Sequence, residues 1–100
     1  MKSFTYFITD EKSKAVKIGV SRNLETRLQE LQVGNPNPLK IRLALPIEPD
    51  FGKEGQGLWT EYAMQQKFAH LHLLGVWYRL TPEVRQFMVA QNARLESGGA

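Results

Sequence analysis

The sequence predicts a small α+β domain: an antiparallel sheet flanked by helices. Three observations carry this. Residues 4–9 and 15–20 are short runs rich in aromatic and β-branched residues, joined by a polar connector. Leu24, Leu28 and Leu31 recur at i, i+4 and i+7, the stripe of an amphipathic helix. Leu39, Ile41, Leu43 and Leu45 alternate with Lys40, Arg42 and Ala44, which is the period of a half-buried strand.

Bulk properties narrow the function classes. One hundred residues suffice for one domain with a modest core; it is expected over 1–96, with 97–100 a flexible tail. The balance of 42% hydrophobic and 23% charged residues is that of an ordinary globular protein. No apolar run approaches the roughly 18–20 residues that span a bilayer, so no membrane partner is expected. Met1-Lys2-Ser3-Phe4 runs straight into a strand pattern and does not read as a secretion signal. There is no cysteine, which excludes disulfides, a thiolate nucleophile and cysteine-ligated metal, and fits a cytoplasmic protein. The net charge of +3 permits a polyanionic partner without requiring one.

In chain order, the connector Asp10-Glu11-Lys12-Ser13-Lys14 should turn a hairpin. In the second strand Val16, Ile18 and Val20 share one face, and Lys17 and Gly19 the other. Lys17 taken alone is a solvated strand lysine. Asn23 suits the N-cap of the first helix, and Glu25 complements its dipole. Arg27 lies at the edge of the leucine stripe and by itself reads as a snorkelling arginine. Gly34 suits a left-handed C′ position, and Pro36 and Pro38 forbid continuation. Residues 39–45 then form a third strand with a basic outer face. An exposed loop is expected over 46–57 and a second helix over 58–73, capped by Thr60 and stopped by Gly75. Met64, Phe68 and Leu71 form its apolar stripe. Glu61 lies beside that stripe, where a carboxylate is partly desolvated unless a cation meets it; alone it reads as a first-turn glutamate. His70 and His72, two residues apart, make no convincing zinc pair. Thr81 and Pro82 start the last helix, with Val84, Phe87 and Met88 on its apolar face.

Several stretches together resemble the GIY-YIG endonuclease superfamily, in particular its compact phage and bacterial branch. They are Tyr6-Phe7-Ile8, Val16-Lys17-Ile18-Gly19, Arg27-Leu28, the run from Leu31 to Pro36, Glu61 with Phe68, and Gly75-Val76-Trp77-Tyr78-Arg79-Leu80-Thr81-Pro82. The resemblance runs from about Tyr6 to Pro82 and implies a three-stranded antiparallel sheet with flanking helices. It implies a metal-dependent endonuclease acting on DNA. Tyr6 would be the base, Lys17 would lower its pKa, Arg27 would stabilise the phosphate, and Glu61 would ligate a single Mg2+ or Mn2+ ion. No organic cofactor is implied. The chain departs from the pattern at five places: the first motif lacks its glycine, having Phe4-Thr5-Tyr6, Lys17 replaces a tyrosine, Leu31 and Gln65 stand where polar or histidine side chains are frequent, and Val76 replaces a glutamate. A nucleic-acid-binding module without catalysis, or a protein-interaction domain, are the alternative readings. Arg22, Lys40 and Arg42 are candidate backbone contacts, through sequence-independent charge. Trp77 and Tyr78 are stacking candidates that more often pack.

Overall fold

A computed structural model of the chain describes residues 2–47 and 59–98. The strands are β1 (Ser3–Asp10), β2 (Ala15–Ser21), β3 (Leu39–Ile47), β4 (His72–Leu74) and β5 (Trp77–Arg79). The helices among the described residues are α1 (Leu24–Val33), α2 (Glu61–Lys67) and α3 (Pro82–Glu96). The sheet is antiparallel with order β3-β1-β2-β5-β4. The expected three strands are therefore five.

One extra strand, β4, comes from the end of the expected second helix, and the other, β5, from the residues that follow Gly75. That helix ends at Lys67, and a 3-10 turn over Ala69–Leu71 leads into β4. Gly75, at φ +58°, turns the chain within two residues so that Leu74 meets Trp77. Glycine is suited to the first central position of such a hairpin turn. His72 consequently pairs with Tyr78 across the ladder, and its ring meets the Tyr78 ring edge-on at 5.3 Å. Gly34 is also not left-handed; its φ is −96°. The chain beyond α1 is held instead by Gln32, whose amide donates to the Asn35 and Asn37 carbonyls at 3.1 and 2.8 Å and accepts from Leu39 N at 2.8 Å. Strand β3 takes in Pro46 and Ile47, the first residues of the expected loop. Positions 48–57 of that loop and 99–100 of the expected tail lie outside the described residues.

Both faces of the sheet are covered. On one face Phe7, Val16, Ile18, Leu43, Leu45 and Tyr78 pack against Met64, Phe68, Val84 and Met88 from α2 and α3. Phe7, Phe68 and Phe87 stack there with ring centroids 5.4–6.1 Å apart. On the other face Tyr6, Ile8 and Leu39 are buried beneath Leu24, Leu28 and Leu31 of α1.

The alternation in β3 implied one buried face, but its leucines serve both. A bulge between Phe7 and Ile8 of β1 places Leu43 opposite Phe7 and Ile41 opposite Ile8, leaving Arg42 as the extra residue. One inserted residue reverses every later side chain. Leu39 and Ile41 therefore join the α1 side and Leu43 and Leu45 the α2/α3 side. The Arg42 carbonyl at the bulge accepts from Asn92 Nδ2 of α3 at 2.8 Å.

Candidate functional site

The β1–β2 register sets Tyr6 opposite Gly19 and Ile8 opposite Lys17, all on the α1 face. Tyr6 is fully buried, and its ring lies across the Gly19 backbone. A Cβ at residue 19 would fall 2.6 Å from Tyr6 Cζ, so only glycine leaves the ring this seat. Beyond β2, Trp77 of β5 sits opposite Lys17. The Lys17 ammonium rests 5.4 Å from the centroid of the Trp77 ring. Strand β5 pairs with β2 only along Ala15, Val16 and Lys17, and one further bond, Ile18 N to Val76 O at 3.1 Å, closes the ladder. Among the described residues no strand pairs with the outer edge of β2 from Gly19 onward.

Two helices bring the remaining groups to that edge. In α1 the Asn23 side chain accepts from Thr26 N at 3.1 Å, an N-cap that fixes where the helix starts. Its leucines lie on Tyr6, Ile8 and Leu39, and this sets Arg27 beside the phenol. In α2 Thr60 accepts from Ala63 N at 3.1 Å, while Met64 and Phe68 anchor the helix in the core. Gln65 Nε2 donates to the Ile18 carbonyl at 3.3 Å, tying α2 to the unpaired edge. Glu61 is one turn before Gln65 on the same side of the helix.

The charges register this convergence. Burial pushes the Tyr6 phenol above its ordinary pKa. The Arg27 guanidinium pulls it down by charge and by donating to the phenol oxygen, whereas Glu61 pushes it up. Lys17 is depressed, first by desolvation and then by Arg27, with Glu61 opposing. Tyr78, on the opposite sheet face, is raised by burial and then by Glu61. The carboxylate thus acts on groups of both faces, consistent with a helix lying along the sheet edge. The net displacement of the phenol is upward, and Arg27 is the cation that opposes it. Arg27 also pairs with Glu30 at 3.5 Å, an exposed i,i+3 contact of small energetic weight.

With this geometry in view, the comparison with known families is specific. The profile of the T5orf172 domain matches residues 3–83. The chain belongs to the T5orf172 domain family. That family points to a nuclease or DNA-binding role, with DNA a plausible partner. No curated protein and no solved structure matches the chain significantly.

In this T5orf172 domain the outlying basic candidates divide. Arg22 follows β2 directly and is exposed at the same end of the sheet as the cluster. Lys40 is exposed on β3, the edge strand on the far side of β1. Arg42, at the bulge, lies 3.8 Å from Glu11, which is itself held by both terminal nitrogens of Arg85 at 2.8 and 3.2 Å. Its guanidinium is thus committed on the α3 side, away from Tyr6. Trp77 and Gln65 are site neighbours whose contacts sequence reasoning did not place, whereas Tyr78 lies on the opposite sheet face. The cross-strand positions of Trp77 and Tyr78 emerge only once β5 is recognised as a strand.

Among the described residues no three histidine or acidic side chains gather into a metal cage, and no helix is long and apolar enough to cross a membrane. Glu61 is a single, partly exposed carboxylate. That donor set fits a magnesium-like ion, which keeps several waters and takes one or two protein carboxylates.

Proposed function

We propose that this domain is a metal-dependent endonuclease of the GIY-YIG type that hydrolyses DNA phosphodiester bonds. The observation that carries the reading is the Tyr6 phenol lying over Gly19, with Arg27 at its oxygen and the Glu61 charge within reach. The four groups come from four separate elements, and a core needs none of these charges.

Each group has a role that its placement supports. Arg27 is partly exposed, and its planar fork matches the oxygens of a phosphate. Swinging away from Glu30 would let it face the scissile group and offset charge developing there. Lys17 adds a second positive charge on the same face. Tyr6 keeps its proton at neutral pH, since burial and Glu61 both push the phenol upward. Neutralising Glu61 removes the smaller of those pushes and leaves burial opposed by Arg27, a change toward the phenolate, the form that accepts a proton from water. Mg2+ or Mn2+ held by Glu61 would supply Lewis-acid stabilisation of the phosphate.

The test is nicking of supercoiled plasmid with magnesium or manganese. Activity is expected in the wild type and absent in Glu61→Ala and Arg27→Ala. Metal-dependent cleavage that survives Glu61→Ala removes this assignment. A second reading, a DNA-binding module without turnover, is favoured by one observation: the Tyr6 side chain is only 1% exposed. Salt-sensitive DNA binding with no cleavage in any metal selects it.

A further inference from the structure

We infer that Trp77 is a positioning residue for Lys17, its indole face holding the lysine ammonium inside the cluster with Tyr6, Arg27 and Glu61. The inference rests on the nuclease reading for its consequence, but the contact stands on geometry of its own. Lys17 and Trp77 are direct partners across the β2–β5 ladder, so both side chains leave the sheet on the α1 face. The ammonium lies 5.4 Å from the ring centroid, within the range of a cation–π contact. Trp77 is itself fixed, since it packs against the Tyr6, Ile8 and Leu39 cluster and is followed in β5 by the buried Tyr78. The Gly75 turn and the Ile18 N to Val76 O bond set where β5 begins.

The chemistry explains why a ring serves here better than an acid. Among the described residues no carboxylate forms an ion pair with Lys17. A carboxylate partner would neutralise the lysine, whereas an aromatic face attracts the cation and leaves its charge available to a phosphate. Arg27 repels Lys17 more than Glu61 attracts it, so the net push of the neighbouring charges on the ammonium is outward. Trp77 opposes that push.

Two measurements test this. In an NMR spectrum of the wild-type protein the Lys17 ε-methylene protons should be shifted upfield of those of the exposed Lys12, Lys14 and Lys40 by the indole ring current. Trp77→Leu should abolish that shift and lower metal-dependent plasmid nicking about tenfold, whereas Trp77→Phe, which keeps an aromatic face, should retain an upfield shift and nick within about threefold of wild type. Lys17 protons at the position of exposed lysines in the wild type would overturn the contact. Equal losses in the Leu and Phe variants would overturn the role of the ring face. If Trp77→Leu does not fold, the wild-type shift and the Phe variant still decide. A wild type that never nicks overturns the nuclease reading and the catalytic consequence with it, while the Lys17 shift decides the contact separately.

Discussion

The two faces of the sheet are made from the same strands and do different things. Phe7 of β1 enters a dry aromatic cluster with Phe68 and Phe87, while its neighbour Tyr6 enters a polar cluster with Arg27 and Lys17 on the other side. The α2/α3 face buries eleven residues in one contiguous core, whereas the α1 face fully buries three. The thick face can therefore bear most of the stability, leaving the thin one free to hold a desolvated phenol and ammonium beside a guanidinium. Charged groups so close are costly to fold around. They are tolerable where a second core, not they, holds the chain together.

Mutations can break or sharpen that contrast. The largest effect is expected from Phe68→Ala on the thick face, which removes a fully buried ring at the centre of the aromatic cluster. It should cost about 3–5 kcal/mol in denaturant unfolding. Arg27→Ala on the thin face should do the reverse: nicking falls by at least about a hundredfold, as for the loss of a preorganised donor to a developing oxyanion, with stability changed by less than about 1 kcal/mol. If Arg27→Ala instead unfolds the protein, the division of labour is wrong. Gly19→Ala should lie between them, because the new methyl displaces the Tyr6 ring. An overpacking cost of about 1–3 kcal/mol is expected, with at least a tenfold loss of nicking.

The smallest expected effect concerns acid. Burial pushes the Asp10 carboxyl up, but hydrogen bonds outweigh it, chiefly from Ser13 N–H and the Asn37 amide, each at 3.1 Å, and its folded pKa lies below the ordinary value. A depressed carboxyl contributes stability above its unfolded pKa, about 3.9, and that contribution is lost as pH falls through the folded value. Asp10→Asn should flatten this acid limb and cost about 1 kcal/mol at neutral pH. An unchanged acid limb would leave the link between the hairpin and the Asn37 turn without energetic weight.

What could be read from the chain, and what could not, follows from the range of the interactions involved. The helix starts were legible, because Asn23, Thr60 and Thr81 cap them by bonds to residues three positions on. Strand β4 was not, since three residues are too few to show a period and His70-Leu71-His72-Leu73 continues a helical pattern equally well, while Trp77 and Tyr78 read as extended without the pairing that makes them β5. The bulge at Arg42 was invisible for another reason: the group that satisfies its carbonyl, Asn92, is fifty positions away. At the candidate site, Tyr6, Lys17, Arg27 and Glu61 were named from motif order. Their partners were misjudged where contacts cross elements. The phenol answers to Arg27 ahead of Lys17, and Lys17 answers to Trp77, pairings that depend on the three-dimensional approach of α1 and β5.

The kink at Arg42 makes β3 answerable to two interiors at once. Removing that single residue would not simply shorten a surface edge. It would close the bulge into a regular ladder, with Ile41 still opposite Ile8 and Leu43 still opposite Phe7, and would take away the carbonyl that accepts from Asn92 of α3. What the extra residue contributes is therefore a tie between the sheet and α3, and the pairing on either side of it does not depend on its presence.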